Sequence, residues 1–208
     1  MSPEIWDPAT ESFGPAGSLD EALDGLSATV LSDGRVLVLG ESIGDDPEDD
    51  SDDLLVAHFW DPVTGSFSPA GTLAGGPSGH IALLLPDGRV LIVDAFHDSD
   101  FPAHVWDPTT ESFGRPGSLA ASMSNIDTAT LLPDGRVLYL GTSNWGVMSA
   151  EIWDPARASV GPVGPFHDPR TRMIHTATLL SDGRVLIVGG GSGDGLVDLA
   201  EVWEPGNG

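Results

Sequence analysis

The sequence contains no cysteine. Disulfides, thiolate metal sites and cysteine nucleophiles are therefore excluded. Lysine is absent too: the eight basic residues are all arginine, set against 32 acids for a net charge of -24. Nucleic-acid and anionic-membrane recognition rest on clustered Lys and Arg, so neither partner is expected. The same charge favours solubility and cation binding. Tyrosine occurs once, at Tyr139. No apolar run reaches the roughly 20 residues of a membrane helix. The opening Met1-Ser2-Pro3-Glu4 has neither the basic residues nor the apolar run of a signal peptide. Compartment is left open.

What the chain has in abundance is turn punctuation, with 27 Gly and 17 Pro. That density favours many short strands over long helices. The punctuation repeats. Asp-Gly-Arg-Val occurs at Asp33-Gly34-Arg35-Val36, Asp87-Gly88-Arg89-Val90, Asp134-Gly135-Arg136-Val137 and Asp182-Gly183-Arg184-Val185. Trp-Asp-Pro begins at Trp6, Trp60, Trp106 and Trp153, with an altered copy at Trp203-Glu204-Pro205. The period is near fifty residues. Some of the acidity is therefore structural, because Asp is a turn residue.

Each repeat parses into four short strands, a to d. Strand a is Ser27 to Leu31, His80 to Leu85, Thr128 to Leu132 and Thr176 to Leu180. A two-residue Asp-Gly turn is expected next. Strand b, such as Arg35 to Leu39 or Arg184 to Val188, is nearly continuous in Val, Leu and Ile, which predicts burial on both faces. Strand c ends at the Trp, where Asp-Pro breaks it, since Pro cannot donate to a ladder. Strand d centres on Phe13, Phe67 and Phe113, with Val160 in the last copy. The repeats run roughly 3-54, 55-102, 103-149 and 150-200, with 201-208 a partial fifth, all in one domain spanning 1-208.

The stretch His175 to Leu180, the Asp-Gly-Arg-Val turn, Val188-Gly189-Gly190 and Ala200-Glu201-Val202-Trp203 together resemble the bacterial kelch repeat. The diglycine is intact only there; elsewhere it reads Gly40-Glu41, Asp94-Ala95 and Gly141-Thr142. The resemblance implies an all-β fold, a β-propeller of four four-stranded antiparallel blades per chain. Counting gives seventeen strands, one more than four blades need. Glu4-Ile5-Trp6 and Glu201-Val202-Trp203 therefore compete for one place. Two arrangements follow: a closed four-bladed ring, with the N-terminal strands joining the C-terminal hairpin, or a homodimer pooling eight blades. The mid-pattern start and the near-copies of one phrase also suit an excised or recently amplified fragment.

Candidate sites are few. Asp45, Asp46, Asp49 and Asp50 lie in an acidic loop between strands b and c of the first repeat. They are read either as a calcium site, since hard cations take oxygen ligands, or as a solvated insertion; the alternating EF-hand pattern is missing. No other cofactor is expected. His80 and His175 share one repeat position, with Leu26 and Asp127 as counterparts. A metal pair facing across a channel is one reading; a hydrogen-bonded residue at the channel rim is the expectation. His58 and His104, two before a Trp, read as semi-exposed. Off-pattern aromatics Trp145, Phe96 and Phe101 lie in b-c loops and are candidate contacts for a protein or small-molecule ligand, or local cover. Each turn Arg is expected to pair with an acid, such as an Asp of the neighbouring repeat.

Galactose-oxidase-like enzymes carry kelch propellers, but their copper radical site needs a cysteine-crosslinked tyrosine and a second tyrosine, which this chain lacks. No catalytic residue is assigned. The reading is a non-catalytic interaction or structural module; the alternative is a carbohydrate-active hydrolase or lyase whose carboxylates converge at the channel.

Overall fold

The computed structural model describes residues 3–42, 54–76, 79–95, 103–115, 123–143, 147–157, 159–164, 166, 175–192, 195–196 and 198–205. Among these residues there is no helix, and so none long and apolar enough to cross a membrane. Strands β1 (Glu4–Asp7) and β2 (Ser12–Pro15) form a hairpin alone. Three four-stranded sheets follow. They comprise β3 (Asp24–Val30), β4 (Val36–Ser42), β5 (Leu54–Asp61) and β6 (Ser66–Ala74); β7 (His80–Leu84), β8 (Val90–Asp94), β9 (Ala103–Asp107) and β10 (Ser112–Gly114); and β11 (Met123–Leu131), β12 (Val137–Ser143), β13 (Met148–Asp154) and β14 (Ser159–Pro162). The last sheet has three strands, β15 (Thr176–Leu179), β16 (Val185–Val188) and β19 (Ala200–Trp203). A small ribbon, β17 (Gly191–Ser192) with β18 (Gly195–Leu196), lies in the loop before β19 and was not foreseen in the sequence. Every strand pairing is antiparallel and joins sequence neighbours within its sheet.

The Asp-Gly turn differs from the two-residue form expected. The Leu31 amide donates to the Arg35 carbonyl at 2.8 Å, and the Gly34 amide donates to the Leu31 carbonyl at 3.0 Å. The loop is thus three residues, Ser32-Asp33-Gly34, with Gly34 at φ 89°. This is a type I turn closed by a left-handed residue, which glycine adopts without a Cβ clash. The same two bonds recur at Leu85, Leu132 and Leu180. The turn arginines pair with acids, as expected. Each pairs with the Asp of its own turn, as Arg35 does with Asp33 at 2.8 Å, because the fold-back puts the guanidinium two residues from that carboxylate. The Arg35 guanidinium additionally lies 3.8 Å over the Phe59 ring.

The sheets stack face to face. Leu37, Leu39, Leu55 and Phe59 of the first full sheet pack on Val90, Ile92 and Trp106 of the second. Leu91, Val93 and Val105 of the second pack on Val137, Tyr139 and Trp153 of the third. Leu138, Leu140 and Met148 of the third pack on Val185 and Ile187 of the last. Each fully buried Leu, Ile or Val contributes roughly 1.5–3 kcal/mol by leaving water. Burial on both faces holds for β8 and β12, which have a neighbour on each side. It fails for β4 and β16, where buried and less buried residues alternate. Those two strands belong to the terminal sheets, so one face of each has no full sheet against it.

The expected joining of the N-terminal strands to the C-terminal hairpin is not what the strand pairings record. β19 takes the edge of β16, pairing Trp203 with Val185, while β1 pairs with β2 alone.

Candidate functional site

Two histidines drawn inside the molecule, His80 and His175, lie at seams between sheets, at the start of their strands a. His80 begins β7 and its side chain is fully covered. Its Nε2 is 2.7 Å from Ser27 Oγ on β3, across the seam. Its Nδ1 stands 3.9 Å from Glu41 Oε1, and that same oxygen accepts the Gly79 amide at 2.7 Å. Burial holds the His80 imidazole below its ordinary value, so it is neutral at pH 7.

A second seam repeats the device. His175 is buried, and its Nε2 lies 3.3 Å from Thr128 Oγ1 on β11. Its Nδ1 is 3.8 Å from Asp127 Oδ2, and Asp127 also accepts the Asn125 side-chain amide at 2.9 Å. Burial pushes the Asp127 carboxyl above its ordinary range, while the His175 charge and the Asn125 hydrogen bond pull it down. His80 and His175 are thus each bonded to the sheet before them. Among the described residues no group of three or more His, Cys, Asp or Glu side chains could hold a metal ion.

His58 is buried rather than semi-exposed, with Nε2 3.3 Å from Glu21 Oε1. Glu151, at the same repeat position, is buried as well. His104 is half-buried, and burial together with the Arg115 charge holds its pKa down. Trp145, Phe96, Phe101 and the acidic Asp45, Asp46, Asp49 and Asp50 lie outside the described residues.

The indoles supply the other seam contacts. Trp60 Nε1 donates to the Ala16 carbonyl at 2.8 Å, and Trp106 Nε1 to the Ala70 carbonyl at 3.0 Å. Ala16 and Ala70 each stand three residues after the strand-d Phe of the preceding repeat. The β1–β2 hairpin therefore sits against the first full sheet as the outer half of a preceding one.

Sequence reading overlooked Glu41 and Glu21 as partners of His80 and His58, and Asn125 as the partner of Asp127. A signal existed for Glu41, which replaces the second glycine of the diglycine. Its Oε1 would lie 2.8 Å from a Cβ built at Gly25, so the carboxylate occupies space that only glycine leaves free. Beyond the seams, a cleft of about 410 Å3 opens among the Asp-Gly turns, lined by Ser32, Leu84, Pro86, Asp87 and Leu131 among others. Its one carboxylate is already held by Arg89 at 2.7 Å.

The arrangement binds sheet to sheet through buried, neutral or paired groups. No family model matches the chain, and none of the curated proteins compared with it does either.

Proposed function

We propose that the chain is a kelch-like β-propeller array acting as a non-catalytic interaction or structural module for a protein or small-molecule partner. In this reading each four-stranded sheet is a blade, and the strands a carrying His80 and His175 line the channel side. Support comes first from the four Asp-Gly-Arg-Val turns and the periodic Trp-Asp-Pro corners. The observation that carries the reading is the commitment of the seam groups. His80 to Ser27 and His175 to Thr128 are the same bond made between successive sheets at two places. Glu41 is likewise engaged by Gly79 across a seam. Groups fixed this way serve cohesion of the scaffold.

Thermal unfolding of His80→Gln and His175→Gln tests this. Residues of a catalytic or ligand site are held at a cost to stability, so replacing them tends to leave stability level or raise it. Residues that tie sheets together behave oppositely. Both variants are expected to melt several degrees lower than the parent. Melting points equal to or above the parent would overturn the reading and favour a functional centre at the seams.

A further inference from the structure

The two ends of the array are open and fit one another. In the middle sheets, Leu84 and Leu131 at the end of strand a pack against the clusters formed with the preceding sheet. Val30, their equivalent in the first full sheet, is 64% exposed, and Val36 and Val38 beside it are only half-buried. At the other end, Val188 is 43% and Val202 46% exposed, and Leu186 is half-buried. These residues alternate with Val185 and Ile187, which are buried against the third sheet. One end thus presents the apolar face that a preceding sheet would cover, and the other presents the face that a following sheet would cover. Neither set includes a charged residue.

The strands match as well. Among the described residues the last sheet holds three strands, matching a to c, whereas the β1–β2 hairpin holds strands c and d. Glu4-Ile5-Trp6-Asp7 repeats the pattern of Glu201-Val202-Trp203-Glu204 on β19. Trp6 is 47% exposed and meets Phe13 at a tilt, with ring centroids 5.0 Å apart. Trp203 is half-buried against the cluster formed by Leu138, Leu140 and Met148.

We propose that a second copy of this chain docks head to tail on these ends. Its β1 takes the edge of β16 in the register that β19 now holds, with Trp6 opposite Val185 and Ile5 opposite Leu186. Its β2 comes with it and completes a four-stranded sheet. Its Val30, Val36 and Val38 then cover Leu186 and Val188. The same junction made twice closes two copies around a twofold axis and leaves no end sheet with an uncovered face. A second copy is favoured over the chain's own N-terminus because all three apolar seams are already formed while the ends stay unjoined. Joining them within one chain would draw on those formed seams, whereas a partner copy leaves all three in place and displaces β19 alone from the edge of β16.

The inference rests on the stacked-sheet reading, and light scattering on a sizing column separates the two. The intact chain is expected at twice the 21.6 kDa of one chain, more completely in 0.5 M salt, where repulsion between acidic copies is screened. A one-chain mass with a cooperative β-sheet unfolding transition would overturn the second copy and leave the sheet array standing. Absence of that transition would overturn both. A ladder of higher masses would overturn closure at two.

Val30→Asp and Val188→Asp are each expected to halve the mass, and Val63→Asp, at a turn position 91% exposed, to leave it unchanged. No change in either junction variant would overturn the assignment of the faces. An equimolar mixture of Val30→Asp and Val188→Asp contains one junction free of aspartate, so the doubled mass returns. Failure to recover it would overturn the head-to-tail arrangement. Trp6→Ala is expected to weaken association about tenfold or more, as loss of a buried aromatic anchor does, and Trp203→Ala to weaken it less. The reverse order would overturn the strand exchange.

Discussion

Trp106 reaches across a seam to donate its indole N–H to the carbonyl of Ala70 at 3.0 Å, and the ring itself is fully buried. The ring also meets Phe59 edge to face, with centroids 5.4 Å apart. One residue therefore supplies apolar area, an aromatic contact and a polar latch between two sheets. Trp106→Phe keeps most of the area and strands the carbonyl, which should cost about 1–3 kcal/mol. Trp106→Ala should cost roughly 3–5 kcal/mol. Urea unfolding reads both. Equal losses would mean that the latch contributes nothing beyond the ring.

The buried histidine makes stability depend on pH. The unfolded imidazole of His80 takes up a proton near its model value of 6.5, whereas burial delays protonation in the folded chain to lower pH. The unfolded state then binds more protons, so stability is complete above about pH 6.5 and declines as pH falls below it. Asp127 runs the opposite way. Its folded pKa lies above the model value of 3.8, so stability falls as pH rises from there through the raised value. Urea midpoints between pH 4 and 8 should lose the decline below about pH 6.5 in His80→Gln, and lose the fall that accompanies rising pH above the carboxylate's model value of 3.8 in Asp127→Asn. A slope that survives both changes would locate the linkage elsewhere.

The sheets were legible in the sequence because their punctuation is chemical. Asp-Gly requires a residue at positive φ, and Asp-Pro ends a ladder, so strands could be set to within a few residues. The burial of β4 and β16 was not legible, because Val36 and Val90 look alike in sequence and differ only in what stacks on them. Exposure is a property of the neighbouring sheet, which a strand's own residues do not encode. The seam histidines were visible as a repeat position. Their partners Ser27 and Thr128 lie 53 and 47 residues away, and nothing local marks a serine or threonine as the partner. Arg35 and its equivalents pair with an acid as expected, but with the Asp of their own turn rather than an Asp of the neighbouring repeat, because a tight hairpin makes the short path available first.

Tyr139 carries a cost that can be removed. Its side chain is 1% exposed in β12, and its hydroxyl has no hydrogen-bond partner among the described residues. Burial pushes its pKa well above the ordinary value, so the phenol is neutral throughout the working range. A buried hydroxyl without a partner loses its water and gains nothing in return. Tyr139→Phe should raise stability by roughly 1 kcal/mol in chemical denaturation. A loss of that size would show that the hydroxyl is bonded within the fold.

Two glycines separate strain from space. Gly34 sits at φ 89°, and a Cβ there would meet nothing within 4 Å. Gly34→Ala should therefore cost only the conformational penalty of a left-handed residue, about 1–2 kcal/mol. Gly141 is not at positive φ, yet a Cβ there would lie 1.9 Å from the Asn125 carbonyl oxygen. That overlap is with backbone, and β11 is already bulged between Met123 and Asn125 and again between Ile126 and Thr128. Gly141→Ala must push β11 away from β12, which disturbs Met123 and Ile126 in the apolar seam and shifts Asp127 away from His175. The cost should exceed that of Gly34→Ala by at least about 1 kcal/mol, in keeping with overpacking. Amide hydrogen exchange distinguishes the causes. Gly34→Ala should loosen its own hairpin turn alone, whereas Gly141→Ala should raise exchange along β11 and β15 together, because β11 meets β15 across the seam and Thr128 bonds His175 there.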